Sequence, residues 1–184
     1  MYQTIYKDRS IVILSDTHGK HRELVIPPAD IIIHCGDICQ DGDEADIIDF
    51  FYWYGKLPIV HKILLAGNHD YPLELEPIKF IDLIPEDIVF LENLVMNFDG
   101  ILIGALSPNF YLEESFASNP DVKMDILITH QGPYGILDRN KGCRELRNYV
   151  LTVRPQYHFF GHIHEAGGIE VIGDTFFVNV CERE

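Results

Sequence analysis

Residues 63–70 read Ile-Leu-Leu-Ala-Gly-Asn-His-Asp, an apolar run that ends in a glycine and three polar residues. The apolar half predicts a short buried strand, and the polar half places Asn68, His69 and Asp70 together at its exit. Gly67 is expected to give the backbone a conformation that a Cβ would penalise. Taken alone, these residues fit an ordinary polar turn as well as a catalytic one, so their meaning depends on the rest of the chain.

The same pattern of an apolar run with a polar exit occurs four more times. The exits are Asp16-Thr17-His18 after residues 11–14, Gly36-Asp37 after 31–35, His130 after 126–129, and Gly161-His162-Ile163-His164 after 158–160. Short continuous apolar runs are typical of strands that are buried on both faces. The sequence therefore predicts five buried strands, each ending in Asp, His or Asn.

Helices are predicted between these strands. Residues 43–54 carry a capping Asp43 before apolar positions on one face, and residues 143–153 repeat apolar positions at spacings of three and four before Pro155. Further elements are a shorter helix within 73–83, strands over 88–91 and 101–106, a mobile loop over 109–121, and a hairpin of 169–172 with 176–180. Strands that alternate with helices indicate an α/β fold, whose ligands bind beyond the carboxyl ends of the strands.

Length and charge limit the possible functions. A chain of 184 residues fits a single domain over 1–184, and its net charge of −15 disfavours long nucleic acid and anionic membranes. No apolar segment approaches the roughly 20 residues that span a bilayer, and residues 1–10 lack the features of a signal peptide. The spacing of Cys35, Cys39, Cys143 and Cys181 matches no paired CxxC zinc site, so we expect a reducing, cytoplasmic location.

The polar exits form a set of metal donors. Its members are Asp16, His18, Asp37, Asn68, His130, His162 and His164. These oxygen and nitrogen donors, without a thiolate, suit Mn, Fe, Zn or a similar divalent ion. The members of the Asp-x-His and His-x-His pairs point the same way on extended backbone, roughly 6.6 Å apart, and two such pairs can straddle two metals about 3.5–4 Å apart. A lone His at a strand end is usually structural, but capping and turns would favour Ser, Asn and Gly over four histidines.

In order along the chain, the five exits resemble the signature of the calcineurin-like metallophosphoesterases. The resemblance implies a four-layer α/β/β/α fold, in which two β-sheets pack as a sandwich flanked by helices. It also implies two divalent metal ions, with Mn²⁺ favoured and Fe, Zn, Ni or Co as alternatives. One metal would be held by Asp16, His18 and His164, the other by Asn68, His130 and His162, and Asp37 would bridge them. His69 would be the general acid, Asp70 would orient its imidazole, and Asn68 and His69 would contact substrate.

Three downstream segments resemble the fetal-brain 239 type of metallophosphoesterase-domain-containing proteins. They are Thr129-His130-Gln131-Gly132-Pro133, Gly142-Cys143-Arg144-Glu145-Leu146, and residues 154–161, which read Arg-Pro-Gln-Tyr-His-Phe-Phe-Gly. This resemblance implies metal-dependent hydrolysis of small phosphodiesters, including 3′,5′-cyclic nucleotides.

The chemistry of the predicted residues agrees with such an activity. Two dications against the two carboxylates leave a positive site in an acidic protein, and water bound to them becomes a hydroxide that attacks phosphorus. His69 lies next to a ligand and can protonate the leaving oxygen.

Other functions and contacts stay open at this stage. A phosphomonoesterase or phosphoprotein phosphatase is one alternative, and a non-catalytic scaffold of the same fold is another. Arg144 is a candidate phosphate contact, although an exposed Arg at a helix start is more often solvated, and Phe110 and Tyr134 are candidate base-stacking residues that are equally compatible with covering the core. The sequence does not indicate the oligomeric state.

Overall fold

In the computed structural model, which describes residues 1–108, 115–119 and 121–181, eleven strands build two sheets. The strands are β1 (Tyr2–Tyr6), β2 (Arg9–Leu14), β3 (Ile31–His34), β4 (His61–Leu64), β5 (Ile88–Phe90), β6 (Leu94–Phe98), β7 (Ile101–Leu106), β8 (Ile126–Thr129), β9 (Tyr157–Phe160), β10 (Gly168–Ile172) and β11 (Thr175–Asn179). The helices are α1 (Glu44–Gly55), α2 (Tyr71–Leu75), α3 (Pro77–Ile81) and α4 (Arg144–Val153). All of these helices are too short or too polar to traverse a lipid bilayer.

Parallel strands form the centre of each sheet. The first sheet has the order β1-β2-β3-β4-β5, in which β2 to β5 are parallel. The second has the order β10-β11-β9-β8-β7-β6, with parallel strands in the middle and an antiparallel strand at each edge. Parallel strands all end at the same edge of a sheet, so the polar exits of β2, β3 and β4 lie side by side, as do those of β8 and β9.

The main core lies between the two sheets. Alternate residues of the parallel strands point inward, including Ile11, Ile13, Ile31 and Ile33 from the first sheet and Ile103, Ile126, Ile128 and Phe159 from the second. The intervening residues point outward and are also buried, which is why these strands read as continuous apolar runs.

A helix covers the outer face of each sheet. α1 packs Ile47, Phe50, Phe51 and Tyr54 against the first sheet, and α4 packs Leu146, Tyr149 and Val150 against the second. The Asp43 side chain caps α1 by accepting from the N–H of Ala45 at 2.8 Å. The predicted four-layer α/β/β/α arrangement is therefore confirmed.

One predicted helix differs in the structure, and two edge strands were not predicted. The single helix predicted within 73–83 is two short helices, because Glu76 leaves the helical conformation before Pro77 starts α3. Edge strands β1 and β6 were not predicted, since each is partly exposed and lacks a continuous apolar run. The loop predicted to be mobile, residues 109–121, lies largely outside the described residues.

Candidate metal centre

The structure brings the seven predicted donors together at the ends of five parallel strands. Asp16 and His18 follow β2, Asp37 follows β3, Asn68 follows β4, His130 follows β8, and His162 and His164 follow β9. Five of them form two groups that share Asp37. One group is Asp16, His18 and Asp37, and the other is Asp37, His130 and His162. His164 belongs to a further group that includes Asp16. Within each group the donor atoms lie within 4.8 Å of one another.

The first donor set consists of Asp16, His18 and His164. The Nε2 atoms of His18 and His164 are 3.3 Å apart, and His164 Nε2 is 3.2 Å from Asp16 Oδ1. Metal–ligand bonds of about 2.1 Å with angles of roughly 90–110° place neighbouring donor atoms about 3.0–3.4 Å apart. The spacing of this set therefore fits a single first-row ion.

The second donor set consists of Asn68, His130 and His162, with Asp37 beside it. His130 Nε2 lies 2.9 Å from Asn68 Oδ1 and 3.2 Å from Asp37 Oδ2, and the rings of His130 and His162 have centroids 5.1 Å apart. The same Asp37 Oδ2 is 3.8 Å from His18 Nε2 of the first set. One carboxylate oxygen thus faces both sets, as a ligand shared by two ions would.

Backbone carbonyl groups fix which ring nitrogen carries the hydrogen in two of the histidines. Nδ1 of His130 lies 2.9 Å from the carbonyl oxygen of Cys35, and Nδ1 of His18 lies 3.2 Å from that of Cys39. A carbonyl only accepts, so Nδ1 must carry the hydrogen when these rings are neutral, and the lone pair is left on Nε2. Both rings therefore present Nε2 toward the donor sets, as metal-ligating histidines do.

The charges of the site are arranged to keep its carboxylates ionised. Burial works to raise the pKa of Asp16 and Asp37, but hydrogen bonds from His164 to Asp16 and from His130 to Asp37 outweigh it and lower both pKa values. Burial conversely works to lower the pKa of His130, and the hydrogen bond and charge of Asp37 raise it to about 9. A cation that binds His130 therefore takes the place of a proton.

The backbone at the donors is in an unusual conformation. Asp16, His18, Asp37 and His162 have φ angles of 55°, 42°, 59° and 71°. Left-handed backbone costs a non-glycine residue of order 1–3 kcal/mol, and such strain clusters at functional sites. Four of the seven donors are thus held in place by the surrounding structure rather than by local preference.

Two glycines make room for the two carboxylates. A Cβ on Gly67 would overlap the backbone nitrogen and Oδ1 of Asp37, and a Cβ on Gly161 would overlap Oδ2 of Asp16. Gly67 itself has a φ of −106°, which any residue adopts. The expected conformational reason for Gly67 was therefore wrong, and the requirement is for space beside Asp37.

His69 lies at the edge of the two donor sets. Its backbone N–H donates to Asp37 Oδ1 at 2.9 Å, and its ring meets the His18 ring edge-on with centroids 5.1 Å apart. The side chain is 33% exposed, and its Nδ1 lies 3.8 Å from a carboxylate oxygen of Asp41. The imidazole therefore contacts His18 of the first donor set and is partly open to solvent.

Asp70 makes contacts other than the predicted ones. Its buried carboxylate accepts from the N–H groups of Gly67 at 2.8 Å, Ile38 at 2.9 Å and Cys39 at 3.1 Å. Among the hydrogen bonds of the described residues, none joins it to the His69 ring. Asp70 therefore ties the loop after β3 to the loop after β4, and orientation of the His69 imidazole is not among its described contacts.

Of the predicted substrate contacts, Asn68 and His69 lie at the donor sets, whereas Arg144 is held by Tyr134. The guanidinium carbon of Arg144 stacks 3.7 Å from the centroid of the Tyr134 ring, so these two side chains engage each other. Phe110 lies outside the described residues.

Cys181 is a neighbour of the centre that the sequence did not reveal. Its buried thiol donates to Asp16 Oδ2 at 3.0 Å, and it forms a third donor group with Asp16 and His164. Residues 16 and 181 lie at opposite ends of the chain, and no motif surrounds Cys181. Only the position of the segment after β11, beside the exit of β2, brings them together.

Comparison with known proteins agrees with this picture. Residues 9–166 match the profile of the calcineurin-like phosphoesterase family. Human metallophosphoesterase domain-containing protein 1 is 32% identical over 216 residues, covering 92% of this chain and 65% of that protein. A UPF0046 protein of Caenorhabditis elegans is 31% identical over 212 residues, covering 94% of this chain and 75% of that protein.

The fold is shared with a solved structure. The crystal structure of TT1561 of Thermus thermophilus superimposes with a TM-score of 0.66 at 16% identity, covering 95% of this chain and 89% of that one. At this identity the likeness concerns the fold alone. The chain spans about two thirds of the human relative, 65% of its length.

Proposed function

This chain belongs to the calcineurin-like phosphoesterase family, and from that premise we propose that it hydrolyses small phosphodiesters, such as cyclic nucleotides, with the help of two divalent metal ions. One observation carries the proposal. Two donor sets, each with two imidazoles and one side-chain oxygen donor, lie side by side, and Asp37 Oδ2 faces both, 3.2 Å from His130 Nε2 and 3.8 Å from His18 Nε2.

The donor set suits a first-row divalent ion. It consists of carboxylate, amide and imidazole groups, which fit Mn²⁺, our first choice, and also Fe, Zn, Ni or Co. Ions bound there would polarise the phosphoryl group and lower the pKa of a water molecule so that it can attack at neutral pH. Asp16, His18 and His164 would hold one ion, Asn68, His130 and His162 the other, and Asp37 both.

The protein's own groups would position the substrate and deliver a proton. His69 is anchored by its backbone N–H to Asp37, so its ring has a fixed place beside the shared ligand. A partly exposed imidazole there can donate to the oxygen of the departing alcohol. Asn68 lies next to His69, with its Oδ1 2.9 Å from His130 Nε2, and would contact a phosphoryl group held at the same site.

The charges favour a diester over a monoester. A monoester carries up to two negative charges, and phosphatases generally grip the second with arginine. The two donor sets as defined consist of carboxylate, amide and imidazole side chains, and the guanidinium of Arg144 stacks on the Tyr134 ring. A singly charged diester would match a site whose positive charge comes mainly from the two ions.

The test is a substrate screen with purified protein and Mn²⁺. Bis-p-nitrophenyl phosphate, p-nitrophenyl phosphate, and 2′,3′- and 3′,5′-cyclic nucleotides are compared in parallel, with EDTA-treated protein as the control. We expect diester hydrolysis that EDTA abolishes and Mn²⁺ restores. A preference for the monoester would favour the phosphomonoesterase or phosphoprotein phosphatase alternative, and no hydrolysis of any ester would favour a non-catalytic scaffold.

We also propose a small phosphoester, rather than long nucleic acid or a membrane, as the partner. The net charge of −15 supports this choice, since nucleic acid and anionic lipid would both be repelled. Cys35, Cys39, Cys143 and Cys181 are all free thiols, which supports a reducing compartment such as the cytoplasm.

A further inference from the structure

A buried histidine links the two loops that carry Asp16, His18 and Asp37. His34 ends β3, and its Nε2 lies 3.1 Å from the hydroxyl of Thr17, the residue between Asp16 and His18. The N–H of Gly36, next to Asp37, donates to Nδ1 of the same ring at 3.2 Å. Because Nδ1 accepts, Nε2 carries the hydrogen and donates to Thr17.

A second buried histidine repeats this arrangement in the other sheet. His158 lies in β9, and its Nε2 is 2.9 Å from the hydroxyl of Thr129, which immediately precedes His130. That hydroxyl donates to the carbonyl oxygen of Gln131 at 2.7 Å, so it spans the backbone of His130. A hydroxyl has one hydrogen, so the His158 Nε2 must again be the donor.

The two Thr–His pairs have the same arrangement. In each, a threonine directly precedes a histidine of a donor set, and a fully buried histidine on the neighbouring parallel strand donates to its hydroxyl. Burial lowers the pKa of His34 and of His158 to about 3, so both rings are neutral and each has a single N–H to give. In both pairs that N–H is directed at the threonine.

The second pair places the polar ring of His158 in an apolar part of the core. His158 Nδ1 is buried without a hydrogen-bond partner in the part of the chain that the structure describes. The ring lies among aromatic side chains, with centroids 5.0 Å from Phe160 and 5.8 Å from Phe177. A phenylalanine would suit these surroundings without an unpaired nitrogen, so packing alone does not account for a histidine here.

We propose that the Thr17–His34 and Thr129–His158 pairs are positioning residues, each of which fixes the backbone of one metal-binding loop. Thr17–His34 holds the loop of Asp16 and His18, and Thr129–His158 holds His130. The inference rests on the proposed two-metal site. It assigns one pair to each ion, because His18 belongs to the first donor set and His130 to the second.

The experiment measures Mn²⁺ binding rather than activity. Isothermal titration of the full chain gives the stoichiometry and the two dissociation constants for wild type, T17V and T129V. Each substitution removes the hydroxyl and keeps the shape of the side chain. T17S and T129S keep the hydroxyl and remove only the methyl group, so they test whether the hydroxyl is what matters. T175V is the matched control. Thr175 begins β11 of the second sheet, is also buried, and donates to the carbonyl oxygen of Pro155, away from the strand exits.

We expect T17V and T129V each to weaken one of the two binding events by roughly 10-fold, as loss of an outer partner of a metal ligand does. The serine variants and T175V should bind like wild type. Unchanged binding by T17V and T129V, or an equal loss in T175V, would overturn the inference while leaving the two-metal site standing. Wild-type protein that binds no Mn²⁺ would overturn the site and the inference together.

Two further measurements do not depend on how well the valine variants fold. Nitrogen-15 NMR of the wild-type histidine rings should show the Nε2–H tautomer in both His34 and His158. An Nδ1–H tautomer of either ring would overturn the role proposed for its Thr–His pair. H158F should keep the stability of the metal-free protein while weakening one Mn²⁺ site roughly 10-fold. A variant with lower stability and wild-type Mn²⁺ binding would instead make His158 a core residue only.

Discussion

Asp37 Oδ2 lies 3.2 Å from His130 Nε2, although the two residues follow strands of different sheets. Asp37 leaves β3 of the first sheet and His130 leaves β8 of the second. The contact is reinforced from the other direction, because the His130 Nδ1–H donates to the carbonyl of Cys35 at 2.9 Å. The candidate metal centre therefore lies where the two sheets meet.

Asp37→Asn should remove the shared ligand. The amide keeps the size of the side chain but loses the charge, so we expect Mn²⁺ content to fall from two ions per chain to one or fewer and diester turnover to fall at least roughly 100-fold. Metal analysis after dialysis measures the first quantity. Asp174→Asn, in the exposed β10–β11 turn, is the matched control. Two retained ions would contradict the shared role of Asp37.

His69→Ala should separate metal binding from proton delivery. The variant keeps both donor sets, so its Mn²⁺ content should equal that of wild type. Turnover of cyclic nucleotides, whose leaving alcohols need a proton, should fall by roughly 100- to 10,000-fold, and turnover of bis-p-nitrophenyl phosphate much less. Equal losses on both substrates would remove His69 from the role of general acid.

Asp70→Ala should act mainly on stability. Burial and the nearby charge of Asp37 raise the pKa of Asp70, and three backbone N–H donors oppose that shift. Removing the carboxylate leaves those buried N–H groups unpaired, so we expect a loss of about 3 kcal/mol or more in the free energy of unfolding, with a smaller loss for Asp70→Asn.

Denaturant unfolding of the metal-free Asp70 variants measures this loss. The ratio of turnover between good and poor leaving groups should stay that of wild type in Asp70→Asn. A ratio that shifts as it does in His69→Ala would restore the sequence-based role of orienting the imidazole.

Asp125→Asn should lower stability in a pH-dependent way. Burial works to raise the pKa of Asp125, but hydrogen bonds from Lys7 Nζ at 2.8 Å and from the Leu102 N–H at 2.8 Å outweigh it and lower the pKa. Because the folded pKa lies below the unfolded value of about 3.9, this stabilisation is present above that pH and is lost as the pH falls through the folded pKa.

At pH 7 we expect the free energy of unfolding of the Asp125→Asn variant to be about 1 kcal/mol lower than that of wild type. The effect is modest because Lys7 is partly exposed and solvent screens its charge. The difference should shrink as the pH falls through the folded pKa of Asp125. Thermal unfolding from pH 2 to pH 8 measures both curves. A difference that does not change over that range would show that charge at Asp125 contributes nothing.

Much of the fold was predictable because it depends on local pattern. Apolar runs predicted the central strands, and the cap at Asp43 and the spacing of apolar residues predicted α1 and α4. Edge strands such as β6 were missed because half of their surface faces solvent, where a pattern of apolar residues is not required.

By itself, the sequence predicted seven candidate donors and that each follows a strand. Both follow from residue type and from the rule that parallel strands end at a common edge. Only the tertiary structure decided how those donors meet. It sets Asp37 against His130 across two sheets, holds Asp16 and His162 in left-handed backbone, and places Cys181 against Asp16. These relationships depend on contacts between segments far apart in the chain, which no local pattern of residues can encode.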